Sequence, residues 1–406
     1  MSYNFDEIID RRHTNALNTD GFRGYIFHAD ADKKFPYKDE EFVRMWVADM
    51  EFGTAPEIIE ALHERVDRRI FGYTALYDDR YYNAFSAWCK GHYDWSFPKE
   101  ELCITPGIIP ALYSLTELLC TADEKVLVNT PAYGYFAHAA EYAGVGILTS
   151  PLHKNPDGVF EADFDDFEAK CADPACKLVL WCNPQNPTGR MWTEGELSRA
   201  AEIIRKYDLW VVSDEIHCDL IRCGRRHIPL AKVMADYPNL ITCMAPTKTF
   251  NLAGLAFSNI IIRDEALRER FRRRDKLSGD VNPLSLTAAT AAYERGGEWH
   301  EVLKAYLDGN FAFAKEFLDS ELPEAVMYIP EATYLAWVDL GKCLPESVNL
   351  PSFFANKAGV LLEGGNELFV GNAAGYIRLN LAMPRSIIRT GLERVVNAIH
   401  SEKTTL

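Results

Sequence analysis

The middle of the chain alternates short apolar runs with longer amphipathic ones. Apolar runs at residues 177–182 and 209–213 have strand length, and a helical pattern separates them. Thr193 and Glu196 form a capping-box pattern at the start of that helix. Two buried strands joined by a crossover helix make the unit of a parallel sheet. The sequence therefore predicts an α/β fold with a large domain, in which helices flank a mostly parallel sheet.

The pattern changes after about residue 281. Helical segments at 284–293 and 299–318 are followed by strand-like segments at 334–339 and 376–381. This order predicts a smaller α+β domain, and a chain of 406 residues has room for two domains. The predicted division is an N-terminal segment 1–47 packing with the small domain, a large cofactor-binding domain 48–290, and a small C-terminal domain 291–406.

Charge and hydropathy exclude several classes of partner. The formal net charge of −16 argues against nucleic acid, and the basic run at 270–274 is typical of a solvated helix face. No stretch approaches the ~20 apolar residues of a membrane helix, and residues 1–7 lack the pattern of a signal peptide. We therefore expect no membrane contact and a cytoplasmic protein.

The cysteines and histidines do not predict a metal centre. The chain has 10 cysteines without a CxxC motif, which is typical of buried thiols in a reducing compartment. His217, Cys218, Cys223 and His227 lie close in sequence, but their spacing fits no zinc motif. We predict neither a metal site nor disulfides.

One lysine occupies an unusual position. Lys248 follows the apolar run 240–244, where a buried strand would end and a glycine-containing turn begin. Most lysines extend from solvated surfaces, so an amine fixed at a strand end indicates chemistry. The chemistry that suits it is a Schiff base.

Polar or aromatic residues follow four predicted strands, at 126–129, 177–182, 209–213 and 240–244. They are Tyr133, Asn186, Asp214 and Lys248. The carboxyl ends of parallel strands meet at one edge, so these residues should line one cavity. Pyridoxal phosphate would explain all four, with Lys248 forming a covalent aldimine and Asp214 pairing with the pyridine nitrogen. Asn186 would bind the 3′-oxygen and Tyr133 would stack on the ring. A helix cap, a turn asparagine and a core tyrosine are the alternative interpretations.

The cofactor phosphate needs backbone amides. Gly107 precedes a long helical pattern, so the first N–H groups of that helix, at Ile108 and Ile109, would point at the anion. By itself this pattern is no more than that of an ordinary loop. Thr247 adds a hydroxyl beside Lys248.

Several motifs, in order, resemble those of a known family. The chain resembles fold-type I pyridoxal-phosphate enzymes of the aminotransferase superfamily, and among them the cystathionine β-lyase branch of C–S lyases (MalY/PatB type). The resemblance covers nearly the whole chain. Its motifs are Met45-Trp-Val-Ala-Asp-Met-Glu-Phe, Phe71-Gly-Tyr-Thr, Cys182-Asn-Pro-Gln-Asn-Pro-Thr-Gly-Arg, Ser213-Asp-Glu-Ile-His-Cys-Asp-Leu, Pro246-Thr-Lys-Thr-Phe-Asn-Leu-Ala-Gly-Leu and Tyr376-Ile-Arg-Leu-Asn-Leu.

The resemblance implies further roles. Arg378 falls on the arginine that grips the substrate α-carboxylate, and Ala48 lies in the substrate-binding segment. Tyr73 matches a tyrosine that reaches the active site of the other subunit, which implies a homodimer with shared sites. Lys248, Asp214 and Asn186 keep the roles given above.

Two departures from the wider aminotransferase pattern bear on the reaction. Ala256 stands where many aminotransferases carry a phosphate-binding arginine, and His217, which we assign to the cofactor site, replaces a common tyrosine. Both resemble the lyase branch. We therefore expect β-elimination from cystathionine or related L-cysteine S-conjugates, yielding a thiol such as homocysteine, pyruvate and ammonia. An aminotransferase, and a regulatory binding protein that keeps the lyase fold, are the alternatives.

Overall fold

A computed structural model describes residues 3–156, 158–275 and 280–405. Its α-helices are α1 (Leu17–Asp20), α2 (Phe22–Phe27), α3 (Pro56–Asp67), α4 (Arg80–Tyr93), α5 (Ile108–Leu119), α6 (Tyr135–Ala143), α7 (Phe164–Cys171), α8 (Glu194–Lys206), α9 (Leu230–Val233), α10 (Pro246–Thr249), α11 (Glu265–Asp275), α12 (Pro283–Arg295), α13 (Gly297–Glu321), α14 (Leu350–Lys357) and α15 (Arg385–Thr405).

The strands form one large sheet and several smaller ones. They are β1 (Val43–Arg44), β2 (Leu102–Thr105), β3 (Lys125–Thr130), β4 (Ala132–Tyr133), β5 (Gly146–Lys154), β6 (Phe160–Ala162), β7 (Cys176–Cys182), β8 (Trp210–Asp214), β9 (Leu240–Met244), β10 (Ser258–Ile262), β11 (Val326–Met327), β12 (Leu335–Asp339), β13 (Val360–Leu361), β14 (Glu363–Gly364), β15 (Phe369–Val370) and β16 (Tyr376–Asn380).

The large sheet has the order β2-β10-β9-β8-β7-β3-β5-β6. Strands β5, β3, β7, β8 and β9 run parallel, while β10 and β6 are antiparallel to their neighbours. Apolar clusters cover both faces, one of them around Val126 and Leu180 and the other around Leu127 and Val179. The predicted α/β fold with a mostly parallel sheet is confirmed.

Local sequence explains where the crossover helix begins. Thr193 caps α8, because its Oγ1 accepts from the N–H of Glu196, and the Glu196 carboxylate accepts from the N–H of Thr193. The buried face of α8 carries Leu197, Ala200 and Ile204. The predicted capping box and amphipathic helix are confirmed.

The C-terminal part forms a second, antiparallel sheet with the order β11-β12-β16-β14. Helix α13 joins the two cores: Trp299 and Leu303 pack in the large one, and Phe311 and Leu318 pack in the small one. The smaller domain therefore combines helices and a sheet, as predicted. The residue boundaries of the domains stay a prediction.

The N-terminal segment contacts the smaller sheet domain. Strand β1 pairs in parallel with β13, with Val43 opposite Val360. Phe22, Phe42 and Trp46 form an aromatic cluster beside that pair. Chain segment 46–52 then leads to the carboxyl edge of the large sheet. None of the described helices has the length and apolarity needed to cross a membrane.

Candidate active site

A cavity of about 200 Å³ lies at the carboxyl edge of the parallel strands. Every site residue predicted from the sequence lines it, except Tyr73. The lining is Ala48, Pro106, Gly107, Ile108, Ile109, Pro110, Leu112, Tyr133, Cys182, Asn186, Asp214, Ile216, His217, Thr247, Lys248, Ala253, Ser258 and Arg378. The fold thus brings together residues that lie more than three hundred positions apart in sequence.

Lys248 lies just beyond the end of a central strand. Strand β9 ends at Met244, and the one-turn helix α10 carries Lys248 towards the cavity. Its Nζ donates a hydrogen bond of 2.6 Å to the carbonyl oxygen of Ala48. Burial lowers the pKa of the lysine, against the opposing effect of Asp49. A lysine in this environment gives up its proton more readily than one on the surface.

The segment that presents the Ala48 carbonyl is held at several points. Tyr334 Oη also donates to that oxygen, at 2.8 Å. The amide of Asn380 donates to the carbonyl of Val47 at 2.8 Å, and the Asn251 side chain both donates to and accepts from the backbone of Met50 at 3.0 Å. Sequence reasoning missed Tyr334, Asn380 and Asn251, because each acts through backbone atoms of a distant segment.

Asp214 is the last residue of β8 and lies in register with Cys182 and Cys243 on the flanking strands. Burial raises its pKa from the ordinary 3.8 to about 7, although a hydrogen bond from the N–H of Ile216 favours the ionised form. A buried carboxyl with this pKa is suited to a cationic partner that enters the cavity. A protonated pyridine nitrogen is such a partner.

His217 lines the same cavity as a neutral ring. Burial lowers its pKa to about 3, and the positive charges of Lys248 and Arg378 act in the same direction. Its Nδ1 is buried and has no hydrogen-bond partner among the described residues. The ring meets that of Tyr334 edge-on, with centroids 6.3 Å apart. An unpaired polar atom in the lining indicates room for a polar ligand.

Arg378 projects from β16 at the other side of the cavity, and it is 1% exposed. Its Nη1 donates to Asn186 Oδ1 at 3.1 Å, and its Nη2 donates to the carbonyl of Trp46 at 3.4 Å. Its Nε is buried without a hydrogen-bond partner in the described part of the chain. The guanidinium therefore keeps donor capacity for a carboxylate.

Glu363, on β14, forms a buried ion pair with Nη2 of Arg378 and stands opposite it in the sheet register. The carboxyl is 2% exposed, and burial raises its pKa against the opposing effect of Arg378 and Lys248. Sequence reasoning missed this residue. A charged residue directly after the apolar run 360–362 was the available indication.

The opposite end of the cavity offers hydrogen-bond donors and little charge. Gly107 precedes α5, and Ile108, Thr247 and Ser258 line the cavity with it. Ala256 does not line the cavity and takes a left-handed conformation, with φ of 51°. The cationic side chains of the lining are Lys248 and Arg378. Amides and hydroxyls must therefore supply most of the contacts to a phosphate.

Tyr133 and Tyr73 have contrasting environments. Tyr133 lies on β4, which pairs with β15, and burial holds the pKa of its phenol well above the usual range. The phenol is neutral and its ring lines the cavity. Tyr73 is 97% exposed and lies outside it.

The residues of the cavity fit pyridoxal phosphate. An amine lies beside a buried carboxyl of raised pKa, an unpaired imidazole nitrogen and the start of a long helix. Lys248 would attach the cofactor, Asp214 would pair with its ring nitrogen, and Gly107, Ile108 and Thr247 would hold its phosphate. These assignments stay predictions for each residue.

Comparisons with known proteins agree with this arrangement. Residues 41–395 match the model of the family described as aminotransferase class I and II. The cystathionine β-lyase PatB of Bacillus subtilis is 38% identical over 359 residues, covering 87% of this chain and 92% of that protein. Protein MalY of Escherichia coli is 31% identical over 403 residues, covering 98% of this chain and 99% of that protein. The crystal structure of the pyridoxal-phosphate-bound C–S lyase from Staphylococcus hominis superposes with a TM-score of 0.93 and 44% identity, covering 98% of both chains.

Proposed function

This chain belongs to the family of class I and II aminotransferases, and from that premise we propose that it is a pyridoxal-phosphate-dependent carbon–sulfur β-lyase. Its substrates are cystathionine or related L-cysteine S-conjugates, and its products are a thiol, pyruvate and ammonia. The observation that carries the proposal is the joining of Lys248, Asp214 and Arg378 around one cavity. The relatives named as cystathionine β-lyase and C–S lyase support it.

When bound, pyridoxal phosphate supplies an electron-withdrawing ring that accepts the electron pair left at the substrate Cα. The residues of the chain position and deprotonate the substrate. Arg378 binds the α-carboxylate through its free donor capacity, and Asn186 holds the guanidinium in place. Lys248 Nζ, whose pKa is lowered by burial, takes the proton from Cα. The Cβ–S bond then breaks, the thiolate leaves, and water hydrolyses the released aminoacrylate to pyruvate and ammonia.

The Ala48 carbonyl controls where that proton transfer takes place. It accepts from Lys248 and from Tyr334, so the lysine amine is held near one position. The backbone contacts of Asn380 and Asn251 keep the carbonyl itself in place. A base fixed in this way raises the fraction of bound substrate in reactive geometry.

Product analysis tests the proposal. The purified protein with pyridoxal phosphate should release homocysteine, pyruvate and ammonia in equal amounts from cystathionine. Lys248→Ala should lower the rate by about 10³-fold or more, because it removes a general base worth about 10²–10⁴-fold together with the attachment point of the cofactor. A variant of an exposed lysine, such as Lys206→Ala, should retain the wild-type rate. Absence of pyruvate from every cysteine S-conjugate would contradict β-elimination.

The same assay separates this reaction from transamination. An aminotransferase would convert a 2-oxo acid added with the amino donor and would release no thiol. The relatives named as lyases favour elimination. No contact in the described structure specifically favours a purely regulatory role.

We also propose that two copies of the chain share their active sites. Exposed apolar and aromatic side chains surround Tyr73 in sequence, with Ile70 72%, Phe71 53% and Tyr77 90% exposed. A solvent-exposed aromatic segment of this kind is typical of an interface. Tyr73 would enter the cavity of the other subunit and add a hydroxyl where cationic groups are few.

Mixing two inactive variants tests whether the two subunits share their active sites. Lys248→Ala and Tyr73→Ala subunits, combined at equal amounts, would form mixed dimers in which one site has both native residues. About one quarter of the wild-type activity should return, since half of the dimers are mixed and each has one intact site. Sites that are not shared would regain nothing.

We propose a cytoplasmic location as well. All 10 cysteines are free, and each lies within the described residues. Free thiols persist in a reducing compartment. Fractionation of cells that produce the tagged protein would test the location.

A further inference from the structure

A second group of chemically active side chains lies outside the cavity, where α4 packs against α13. His92 is in the last turn of α4, and His300 and Glu301 are near the start of α13. The two imidazole rings are 6.1 Å apart. One ligand atom from each of these three residues lies within 4.8 Å of the others.

Backbone carbonyls fix which nitrogen of each ring has a free lone pair. His92 Nδ1 lies 3.0 Å from the carbonyl oxygen of Trp88, and His300 Nε2 lies 2.6 Å from that of Asp219. A carbonyl only accepts, so each of these nitrogens bears the hydrogen. The lone pairs are therefore on His92 Nε2 and His300 Nδ1. Histidines that bind metals are oriented by such bonds from their other ring nitrogen.

The lone pair on His300 Nδ1 accepts no hydrogen bond within the described structure. The side chain is 1% exposed, and its Nδ1 has no hydrogen-bond partner there. The nearest carboxylate oxygen, Glu301 Oε1, is 3.7 Å away, which is too far for a hydrogen bond. A buried, unpaired nitrogen aimed at a carboxylate is the arrangement that a cation completes.

We propose that His92, His300 and Glu301 bind a divalent transition-metal ion of the zinc type. Two imidazoles and a carboxylate form a ligand set that Zn²⁺ prefers, with a fourth position left for water. Ligands at ~2.0–2.1 Å from a tetrahedral ion lie about 3.4 Å from one another. The His300–Glu301 pair, at 3.7 Å, is already near that separation. Rotation of the exposed Glu301 side chain, with small shifts of the two rings that keep their bonds to the Trp88 and Asp219 carbonyls, completes the set.

Two cations oppose binding. Lys304 Nζ lies 2.7 Å from Glu301 Oε1, and Arg226 donates to the carbonyl of His92. The ion has to displace Lys304, whose long side chain can rotate into solvent. The sequence predicted no metal site; this group of residues was missed because its members come from two distant helices.

Titration of the holoenzyme with Co²⁺ and with Zn²⁺ tests the site. Calorimetry should give one ion per chain, and Co²⁺ should show the visible absorption of a four-coordinate complex. His92→Gln and Glu301→Gln should each weaken binding by about tenfold or more. Lys304→Met should strengthen it. His153→Gln is the matched control, because this exposed histidine contacts Asp163 and is not one of the three proposed ligands.

The two ligand variants should keep the wild-type β-elimination rate, which shows that the fold is intact. Wild-type protein that binds no stoichiometric ion would overturn the proposal. So would His92→Gln or Glu301→Gln protein that binds as tightly as the wild type. Replacing buried His300 is avoided, since its bond to Asp219 supports the packing of α4 on α13.

Discussion

The two walls of the cavity handle buried charge differently. On the large-sheet wall, Asp214 forms no ion pair with a cationic side chain among the described residues; Lys248 lowers its pKa only from longer range, and burial raises that pKa to about 7. On the small-sheet wall, Arg378 is paired with the buried Glu363. Both residues are nearly inaccessible to solvent. The large-sheet wall therefore needs a positive charge from a ligand to balance Asp214, and we call it the incomplete wall. On the small-sheet wall, Glu363 already balances the charge of Arg378, and we call this the neutralised wall.

This difference should affect how tightly the cofactor binds at Asp214 and how tightly the substrate binds at Arg378. A group that brings a positive charge to Asp214 restores the ionised carboxyl and gains affinity from that interaction. An anion that binds Arg378 meets a guanidinium whose charge Glu363 already balances. The cofactor should therefore bind tightly and the substrate moderately. Variants on each wall can sharpen or break this contrast.

The largest effect is expected at the incomplete wall. Asp214→Asn removes the charge that stabilises a protonated pyridine nitrogen, and loss of one such group typically costs about 10²–10³-fold in kcat. Steady-state pyruvate release measures it. Glu215→Gln is the matched control: this buried neighbour contacts His227 instead of the cavity, and its replacement should spare kcat. An equal loss in both variants would mean that local folding is responsible.

A smaller effect is expected at the neutralised wall. Arg378→Lys keeps the charge but loses the planar fork that binds a carboxylate and Asn186 together. A loss of about 2 kcal/mol or more corresponds to a rise in KM of roughly 30-fold or more. The kcat at saturating substrate should fall much less. If KM is unchanged while kcat collapses, Arg378 does not bind the substrate carboxylate.

The first wall was far easier to predict from the sequence than the second. Lys248 and Asp214 follow apolar strands that run parallel, and such strands end at the same edge wherever the sheet forms. Glu363 lies on a two-residue strand, and its position opposite Arg378 depends on the antiparallel register of the small sheet. Nothing local in the sequence determines that register.

The residues that hold the Ala48 carbonyl in place could not be predicted from the sequence, for a related reason. Asn380 and Asn251 bind backbone oxygens, which every sequence has, so their residue types reveal no target. Tyr73 was predicted through the family resemblance alone, and a single chain leaves it exposed. Residues that act across domains or subunits need the packed structure or the assembly to be found.

The contrast also predicts a pH dependence of stability in the cofactor-free protein. Asp214 is protonated in the fold up to about pH 7 but only up to its ordinary value of 3.8 when unfolded. The folded state therefore holds more protons in this window, and the free energy of unfolding falls as pH rises. Relative to Asp214→Asn, the wild type should lose about 1.4 kcal/mol per pH unit between about pH 4 and 7. Urea titrations of both cofactor-free proteins measure this difference. With pyridoxal phosphate bound the slope should flatten, and a slope that persists would contradict pairing of Asp214 with the cofactor.

The smallest effect is expected when the internal counter-ion of Arg378 is neutralised. Glu363→Gln keeps a hydrogen-bond acceptor beside Nη2 but leaves the guanidinium charge unbalanced until a substrate carboxylate arrives. The substrate then supplies the missing anion, so KM should fall by about three- to tenfold, equivalent to ~0.7–1.4 kcal/mol. The free protein should be less stable for the same reason, because a buried charge has lost its partner. Steady-state kinetics, with urea unfolding in parallel, measure both changes.

Glu363→Asp, which keeps the charge, is the matched control and should not lower KM. A rise in KM for Glu363→Gln would show instead that Glu363 serves to orient the guanidinium, and the two walls would then differ less than their charges suggest.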